Sequence, residues 1–521
     1  MNTWVNMKFD LGTRYNHKIR TPEEIVNLIG GFPRSKKVVM CHGVFDIVHP
    51  GHIRHFLAAR NKADILIVSL TSDVHINKGN YRPHIPEQLR AINLAALESV
   101  DYVVIDTNPT PIANIVQMKP DLFAKGYEYS PDNKVIQKTK EEIEAVRSYG
   151  GEVIFTPGDF ILSSSKFIIS SPPDLRYEKL LLLMQRAKIQ ISDLENALDT
   201  FKNLTVHVVG DTIIDTYTEC SMIGGQTKTP TISVKFESKV DILGGAGIVA
   251  RHLSAAGASV IFSTVLGQDD YTEFVESELQ RDGIKNLSIV DHNRPTTNKN
   301  AIVAGGYRLL KVDTLDNGSI SDDQLTLLRS QIMNEKCDAV VFSDFRHGIF
   351  NKRTIGPLVE SIPSNTFKVA DSQVASRWGN ILDFQRFDLI TPNEREARFA
   401  LGDQDSGIRS LVSELYEKSQ CKLLILKLGD KGIITCQDSE PSTLDSYFVM
   451  DSFVEKLVDP VGAGDALLAY STLALLSTKN PTIASILGNL AAACECEYEG
   501  NVPVTPENLR LKISYIAEAL R

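Results

Sequence analysis

The sequence predicts an α/β protein built from two doubly wound domains. Short β-branched runs alternate with helix-like segments from Lys36 to about Ser170, and a second alternating series begins at Val206. Apolar strands separated by helices are typical of a parallel sheet that is covered on both faces. The length of 521 residues also exceeds what one compact core accommodates and suits two or three domains.

The elements follow the chain in order. The strand-like runs of the first series are VVM at 38–40, ILIVSL at 65–70, DYVVID at 101–106 and EVIFT at 152–156. The prolines at 172 and 173 then break the pattern, and apolar residues at spacings of three and four predict an amphipathic helix over 177–201. The second series reads VHVVGD, SVIFSTVLG, AVVFSD, FKVADS, DLITPN and LLILKLG. We therefore predict domains at 1–170 and 205–521, with a linker helix within 171–204.

Composition excludes several classes of protein. A formal charge of −10 with 43% hydrophobic residues argues against a disordered chain or a polybasic nucleic-acid binder, while local phosphate pockets stay open. Seven scattered cysteines do not form a disulfide framework, which favours a reducing, cytoplasmic location. No apolar stretch reaches the ~20 residues that span a bilayer, and we expect no export signal and no membrane contact.

A strand-to-helix turn in the first domain carries two histidines. The segment KVVMCHGVFDIVHPGH reads as a strand, a loop, and a helix that begins at Pro50 or Gly51. The start of such a helix offers unpaired N–H groups to an anion, and the glycine lets backbone approach a phosphate closely. Both His49 and His52 can point into this loop, which favours phosphate as the ligand.

The phrase GVFD-x-x-HPGH resembles the signature of the HxGH nucleotidylyltransferases. The resemblance implies that His49 and His52 are catalytic and stabilise charge while a sugar or alcohol phosphate attacks the α-phosphorus of a nucleotide and pyrophosphate leaves. The phrases RPHIPEQLR, FAKGYEY and ILSSSKFI supply further positions in the order of that family. We expect nucleotide or phosphate binding at Gly43, Phe45, Asp46, Gly51, Arg90, Ser163, Ser164 and Ser165, and substrate binding at Arg82, Lys125 and Gly126.

A glycine-rich turn in the second domain precedes a long apolar helix. In DPVGAGD, Gly462 and Gly464 flank Ala463 and allow close backbone approach at a helix start, which makes an anion hole. Asp465 falls in the first turn of the helix beside that hole. It either favours the helix dipole or takes the proton from an attacking hydroxyl while the hole holds the transferred γ-phosphate.

This turn resembles the signature of the ribokinase-like sugar kinases, and the resemblance extends from Val206 to about Leu509. It implies that Asp465 is catalytic and that the turn and Lys427 hold ATP. The other positions that it supplies are substrate residues Asp211, Asp215, Gly244 and Gly245, the Mg²⁺-organising pair Asn393 and Glu396 acting through water, and the ATP residue Gly429.

Together the two halves resemble the bifunctional heptose 7-phosphate kinase and heptose 1-phosphate adenylyltransferase enzymes of bacterial surface-polysaccharide synthesis, with the domain order reversed. The resemblance implies Mg²⁺, ATP, sugar phosphates and nucleotides as ligands, and an NDP-sugar and pyrophosphate as products. Heptose kinases carry an asparagine where this chain has Ile248, and their serine-proline-glutamate-alanine-proline loop is replaced over 227–231. A different sugar, CTP in place of ATP, and a domain that has become a scaffold therefore stay open, as does a homo-oligomer.

Overall fold

The computed structural model describes residues 14–76, 83–126, 137–156, 175–224, 232–374, 379–437 and 447–519. The chain divides into two compact units, Met1–Leu175 and Arg176–Arg521. Each unit is an α/β domain built on a largely parallel sheet, so the predicted fold class is confirmed.

The first unit contains a five-stranded sheet of order β3-β2-β1-β4-β5 in which every neighbouring pair is parallel. The sheet order reverses at β1, so the carboxyl ends of β1 and β4 lie side by side at the topological switch point. The elements are β1 Val38–Gly43, β2 Ile65–Thr71, β3 Tyr102–Asp106, β4 Leu122–Gly126 and β5 Glu152–Thr156, with α1 Pro22–Ile29, α2 Pro50–Arg60, α3 Glu87–Ala95, α4 Ile112–Met118 and α5 Gln137–Ser148.

Two apolar clusters cover the two faces of this sheet. One includes Val39 and Phe56, and the other includes Met40 and Phe123, so successive residues of β1 point to opposite faces. Burial on both faces explains why the strands of this unit read as continuous apolar runs.

The second unit contains a nine-stranded sheet of order β11-β9-β6-β15-β16-β17-β18-β19-β20. Its pairs are parallel as far as β18, and β19 and β20 add an antiparallel edge. Its strands, with those of two smaller sheets, are β6 Thr205–Gly210, β7 Thr212–Gly224, β8 Ser233–Gly245, β9 Ser259–Ser263, β10 Val265–Gly267, β11 Lys285–Asn286, β12 Ile289–Asp291, β13 Asn298–Ala304, β14 Tyr307–Thr314, β15 Ala339–Asp344, β16 Phe367–Ser372, β17 Leu389–Ile390, β18 Leu423–Lys427, β19 Ile433–Cys436 and β20 Tyr447–Met450.

Helices cover the large sheet on both faces. They are α6 Arg176–Ala187, α7 Ile191–Thr200, α8 Ala246–Ala255, α9 Asp270–Arg281, α10 Asp322–Asn334, α11 Ile355–Glu360, α12 Glu394–Leu401, α13 Ile408–Ser419, α14 Ala463–Thr478, α15 Pro481–Cys496 and α16 Pro506–Ala519. Helix α14 is the predicted apolar helix after the glycine-rich turn, and the side chains from Asp465 to Leu476 are buried.

A four-stranded sheet of order β14-β13-β7-β8 stands apart from the nine-stranded sheet. Strands β7 and β8 are 13 residues each and pair antiparallel, and β13 joins β7 in parallel. Many side chains on this sheet are exposed, which explains why its strands lack the apolar runs that marked the other sheet in the sequence.

The predicted linker helix differs from the structure. The segment folds as two helices, α6 and α7, and Lys188 between them adopts a left-handed conformation with φ 56°. Leu180, Met184 and Leu194 are buried in the core of the second unit, so these helices are part of that unit. An amphipathic pattern alone does not separate a linker from a helix that packs on its own domain.

All seven cysteines are free thiols in the structure. None of the helices in the described ranges is long and apolar enough to cross a membrane.

Candidate active sites

The histidine turn of the first unit lies at the carboxyl end of β1. His49 is the N-cap of α2, and its Nδ1 accepts a hydrogen bond from the backbone N–H of Gly51 at 3.1 Å. The rings of His49 and His52 lie together, with centroids 3.8 Å apart. The two histidines thus sit side by side at a helix start, where the backbone N–H groups and the helix dipole favour an anion.

Phe45 shapes the loop that precedes the histidines. It adopts a left-handed conformation with φ 46°, and its ring meets the His52 ring edge-on at 5.1 Å. A Cβ atom at Gly43 would lie 2.9 Å from the Phe45 ring, so only glycine leaves room for this arrangement. Gly43 and Phe45 therefore position His52 by packing.

Asp46 fastens this loop to the chain before α3. Its Oδ1 accepts hydrogen bonds from the backbone N–H groups of His84 at 2.9 Å and Ile85 at 3.0 Å. Its buried Oδ2 has no hydrogen-bond partner in the described parts of the chain. Asp46 Oδ1 therefore holds the loop, and Asp46 Oδ2 can accept a hydrogen bond from a further donor.

Arg90 differs from its predicted role. The side chain is fully buried, and its guanidinium donates to the carbonyl oxygens of Ile85 at 2.9 Å and Thr71 at 3.0 Å, to the Val44 carbonyl, and to Asp73 at 2.5 Å. A guanidinium with these donors engaged and no exposed surface cannot also hold a phosphate. In this structure Arg90 orders the loop, and we correct the prediction accordingly.

Lys125 and Gly126 end strand β4 beside the histidine loop. The register pairs Cys41 of β1 with Ala124 of β4, so the residues that follow each of them lie at the same edge of the sheet. Lys125 forms an ion pair with Glu142. The other predicted positions of this site, Arg82 and Ser163 to Ser165, lie outside the described residues.

His42 was missed by the sequence reasoning. It is the residue before the last one of β1, with Nδ1 2.9 Å from Ser69 Oγ and Nε2 3.2 Å from Thr71 Oγ1. Burial, with a smaller contribution from Lys125, lowers the pKa of His42 to about 3, so the ring is neutral near pH 7. Its position directly before Gly43 was the available signal.

The second unit contains a cavity of about 1200 Å³ at the glycine-rich turn. Gly462 is the N-cap of α14 with φ 86°, and Asp465 follows in the first turn of the helix. A Cβ atom at Gly462 would lie 2.6 Å from Asn501 Oδ1 and 2.8 Å from Glu495 Oε1, so this turn requires glycine for both conformation and space. Gly462, Ala463, Gly464 and Asp465 all line the cavity, which places the predicted anion hole and the carboxylate together.

Asp465 belongs to a cluster of buried acids. Burial, and then the neighbouring charge of Asp371, raise the pKa of Asp465 to about 8, while Lys427 opposes this shift. Lys427 donates to Asp371 Oδ1 at 2.9 Å, and its amino group would lie 3.2 Å from a Cβ atom at Gly464. Although burial lowers the pKa of Lys427, Asp371 and Glu396 raise it further, so its net shift is upward.

Asn393 and Glu396 form the N-terminal cap of helix α12. Asn393 Oδ1 accepts from the Glu396 backbone N–H at 2.9 Å, and the Glu396 carboxylate accepts from the backbone N–H and the side-chain amide of Asn393, each at 2.7 Å. Both residues line the cavity with Asp465 and Gly429. The N-x-x-E pattern is thus a capping box as well as a cavity wall.

The donor set fits a divalent cation held through water. Asp371, Glu396 and Asp465 carry three carboxyl groups around the single amino group of Lys427, and burial raises the pKa of Glu396 as well. Within the described ranges no group of three His, Cys, Asp or Glu side chains is arranged to hold a metal directly. A hydrated cation beside Asn393 and Glu396 would favour the ionised forms of these carboxyl groups.

One wall of the cavity is formed by the four-stranded sheet. Asp215 and Gly245 line it, and a Cβ atom at Gly244 would collide with the Asp215 carboxylate. Burial raises the pKa of Asp215, which is opposed by Lys299 and Lys311. The absence of a side chain at Gly244 therefore leaves room for the Asp215 carboxylate at the cavity wall.

Asp211 differs from its predicted role as a substrate ligand. Its Oδ2 accepts from the backbone N–H groups of Phe345 and His347, each at 3.1 Å, and its Oδ1 accepts from Ile349 at 3.2 Å. It does not line the described cavity and instead holds the loop after β15. Ile248 is fully buried, and the 227–231 loop lies outside the described residues.

Comparison with known proteins agrees with this geometry. The model of the pfkB family of carbohydrate kinases matches residues 203–508, which is more than half of the chain. The chain belongs to this carbohydrate kinase family. A cytidylyltransferase-like family model matches residues 40–173, ahead of the kinase domain, as the predicted domain order requires.

Curated relatives and solved structures extend the comparison. The chain is 27% identical over 332 residues to the bifunctional protein HldE of Bradyrhizobium sp., an alignment that covers 62% of this chain and 66% of the relative. It is 43% identical over 122 residues to HldE of Pelobacter propionicus, covering 23% of this chain and 24% of that protein. The chain thus spans just under two thirds of the length of the Bradyrhizobium relative.

The kinase domain also has a structural neighbour. The crystal structure of phosphofructokinase-2 from Escherichia coli in complex with potassium superposes with a TM-score of 0.50 at 16% identity, covering 60% of this chain and 99% of that one. At this identity the likeness supports the fold alone.

Proposed function

We propose that the chain is a bifunctional enzyme that phosphorylates a sugar phosphate with ATP and transfers a nucleotidyl group to a sugar 1-phosphate. The observation that carries the kinase half is the buried Asp465 at a glycine turn, in one cavity with Lys427 and Glu396. The paired histidines at the start of α2 carry the transferase half.

In the kinase reaction the sugar hydroxyl attacks the γ-phosphorus of ATP. A bond forms between that hydroxyl oxygen and the γ-phosphorus, the bond to the β,γ-bridging oxygen breaks, and ADP leaves. Asp465 takes the hydroxyl proton, for which its raised pKa of about 8 suits it. The N–H groups of the glycine turn stabilise charge that develops on the transferred group. Mg²⁺, when bound beside Asn393 and Glu396, would neutralise nucleotide phosphates.

In the transferase reaction an oxygen of the sugar 1-phosphate attacks the α-phosphorus of the nucleotide. The bond to the bridging oxygen breaks and pyrophosphate leaves. His49 and His52 stabilise charge on the nucleotide phosphates rather than forming a covalent bond to them. Two further groups stabilise the same phosphate charge. They are the N–H groups at the start of α2 and the cation of Lys125 at the end of the neighbouring strand.

Heptose 7-phosphate is the acceptor that we propose for the kinase, phosphorylated at C1, and ATP is the nucleotide for the transferase. The relatives named HldE support this choice, and they also support a place in nucleotide-sugar synthesis for bacterial surface polysaccharide. Because Ile248 stands at a position where heptose kinases carry an amide, the alternative is a cytidylyltransferase joined to a kinase for a different sugar phosphate or polyol. Seven free cysteines support a cytoplasmic location.

A coupled screen with two variants tests this proposal. The purified chain is incubated with Mg²⁺-ATP and a panel of sugar phosphates, with heptose 7-phosphate as the first acceptor for ADP release and heptose 1-phosphate as the first acceptor for pyrophosphate release, and the two products are followed separately. Asp465→Asn should abolish ADP release and spare pyrophosphate release, and His52→Ala should do the reverse. Loss of both activities in both folded variants would refute two separate sites.

The nucleotide and the oligomeric state need their own measurements. Pyrophosphate release with CTP but not with ATP would establish the alternative transferase. Light scattering tests the homo-oligomer, which stays a prediction.

A further inference from the structure

Helix α6 contributes to the wall of the kinase cavity, although it precedes the matched kinase domain in the chain. The carbohydrate kinase family model begins at residue 203, whereas Arg176 is the first residue of α6 and of the second unit. Arg176 nevertheless lines the cavity that contains Asp465. The motifs read from the sequence do not include Arg176, so only the fold reveals its place in the cavity.

The beginning of α6 is fastened to the loop that follows β20. Arg176 Nη1 donates a hydrogen bond to the carbonyl oxygen of Val454 at 3.3 Å. The Tyr177 hydroxyl donates to Glu455 Oε1 at 3.2 Å. Val454 and Glu455 both line the cavity, so the first turn of α6 holds a segment of the cavity wall.

The same loop also contacts α15 and the turn between β18 and β19. Asp451 accepts from Lys179 of α6 at its carboxylate, at 2.7 Å, and from Asn489 of α15 at its backbone carbonyl, at 2.8 Å. A Cβ atom at Gly432 would lie 2.7 Å from the backbone nitrogen of Ser452, so the turn approaches the loop closely. Helices α6 and α15, the loop and this turn therefore enclose one end of the cavity.

This end of the cavity suits a nucleoside. Several of its lining residues are apolar or small, namely Ile433, Val454, Leu457, Ala492 and Ala493. Gly429, which is predicted to hold ATP, lies in the turn between β18 and β19 and lines the same end. The phosphates have a separate site at the glycine turn, where the N–H groups at the start of α14 favour an anion. An apolar slot beside an anion site fits the base and the phosphates of one nucleotide.

We infer that Arg176 binds the nucleoside of the ATP that the kinase uses, so that α6 is part of the nucleotide site. A guanidinium is planar and weakly hydrated, and it packs favourably on the face of an aromatic ring. The inference rests on the proposed kinase function, because it adds a residue to the nucleotide end of the same cavity. It makes affinity for ATP depend on a helix that lies outside the matched family domain.

Nucleotide binding at this cavity can be measured without turnover. Hydrogen–deuterium exchange of the full chain, followed by mass spectrometry, gives occupancy of the kinase cavity from peptides covering 423–436 and 481–496. Peptides covering 38–60 report the transferase site separately. The ligands are Mg²⁺-ADP and Mg²⁺-tripolyphosphate, because tripolyphosphate has phosphates but no nucleoside. We expect ADP to protect the kinase peptides of the wild type, and a failure to protect them would overturn the inference.

Two variants and a control assign the affinity to Arg176. Arg176→Met should weaken ADP binding by about 10-fold and change tripolyphosphate binding by less than about 2-fold. Arg176→Lys keeps the charge but loses the planar group, so its ADP affinity should lie between those of Arg176→Met and the wild type. Arg186→Met is the matched control, because Arg186 is in the last turn of the same helix and does not line the cavity.

The exchange data also distinguish a direct contact from an effect on the loop. Without ligand, peptides covering 447–457 should exchange at the wild-type rate in Arg176→Met. Faster exchange there would mean that Arg176 acts through the loop, and would contradict a contact with the nucleoside. Unchanged ADP binding in Arg176→Met, an equal loss of ADP and tripolyphosphate affinity, or an equal loss in the control would overturn the inference. If tripolyphosphate does not bind the wild type, the affinity comes from the nucleoside and the ADP result alone decides.

The same measurements separate this inference from the proposed reaction. ADP binding that depends on Arg176, without ADP release from any sugar phosphate, would contradict the kinase reaction and leave the inference standing. ADP release with the same KM for ATP in Arg176→Met as in the wild type would support the kinase and contradict the inference.

Discussion

Replacing Asp465 should change how the stability of the kinase domain depends on pH. Burial raises the pKa of Asp465 from 3.8 to about 8, and the side chain is only 9% exposed. Between these two values the folded chain holds a proton that the unfolded chain releases, so the free energy of unfolding falls as pH rises. The slope is at most about 1.4 kcal/mol per pH unit. Asparagine does not titrate. The free energy of unfolding of Asp465→Asn, relative to that of the wild type, should therefore rise by about 4 kcal/mol from pH 5 to pH 8.

Urea denaturation of the full chain at pH 5, 6, 7 and 8 measures this gain. Circular dichroism follows the transition at constant ionic strength, without nucleotide or Mg²⁺, because either ligand would change the charge around Asp465. The control is Asp405→Asn, an exposed aspartate of the same domain, which should follow the wild type at every pH. A constant gap between Asp465→Asn and the wild type from pH 5 to pH 8 would refute the reasoning that burial shifts this carboxyl.

Three further substitutions and one control test the geometry of the two sites. Gly462→Ala places a side chain at φ 86° in the anion hole, and we expect ADP release to slow by about 100-fold or more. Gly244→Ala should displace the Asp215 carboxylate and raise the KM for the sugar by more than the KM for ATP. Gly356→Ala, where a Cβ atom meets nothing within 4 Å, should leave both reactions unchanged and is the control for the glycine variants. Arg90→Met should lower the free energy of unfolding of the first domain by about 3 to 5 kcal/mol. The urea concentration at which half of the pyrophosphate release is lost reports this change. A normal midpoint for that variant would contradict a structural role.

The two glycine-containing turns could be located from sequence because each is a local feature. A buried strand, a loop with glycine and a helix start are contiguous in the chain, so spacing alone placed His49 at the start of α2 and Asp465 in the first turn of α14. The parallel sheets were predictable for a similar reason, since strands buried on both faces are apolar throughout.

Residues that meet only through strand pairing could not be found in this way. Lys299 and Lys311 reach the wall that Asp215 occupies through the register of β7, β13 and β14, and the exposed strands give little apolar pattern. The sequence also could not reveal which charged residues are buried. The positions of Arg90 and Asp211 in their motifs suggested that they bind ligands. In the structure both side chains form hydrogen bonds to backbone groups of their own domains.

The cap of helix α12 joins folding and chemistry in one pair of side chains. A designer who wished to strengthen that helix would find Ser or Asp at position 393 just as acceptable to the capping box, because both are good N-caps. Either choice would keep the helix and remove the amide from the cavity. The stability of this helix would therefore be a misleading guide to the state of the cavity, because Ser or Asp at position 393 would preserve the first and change the second.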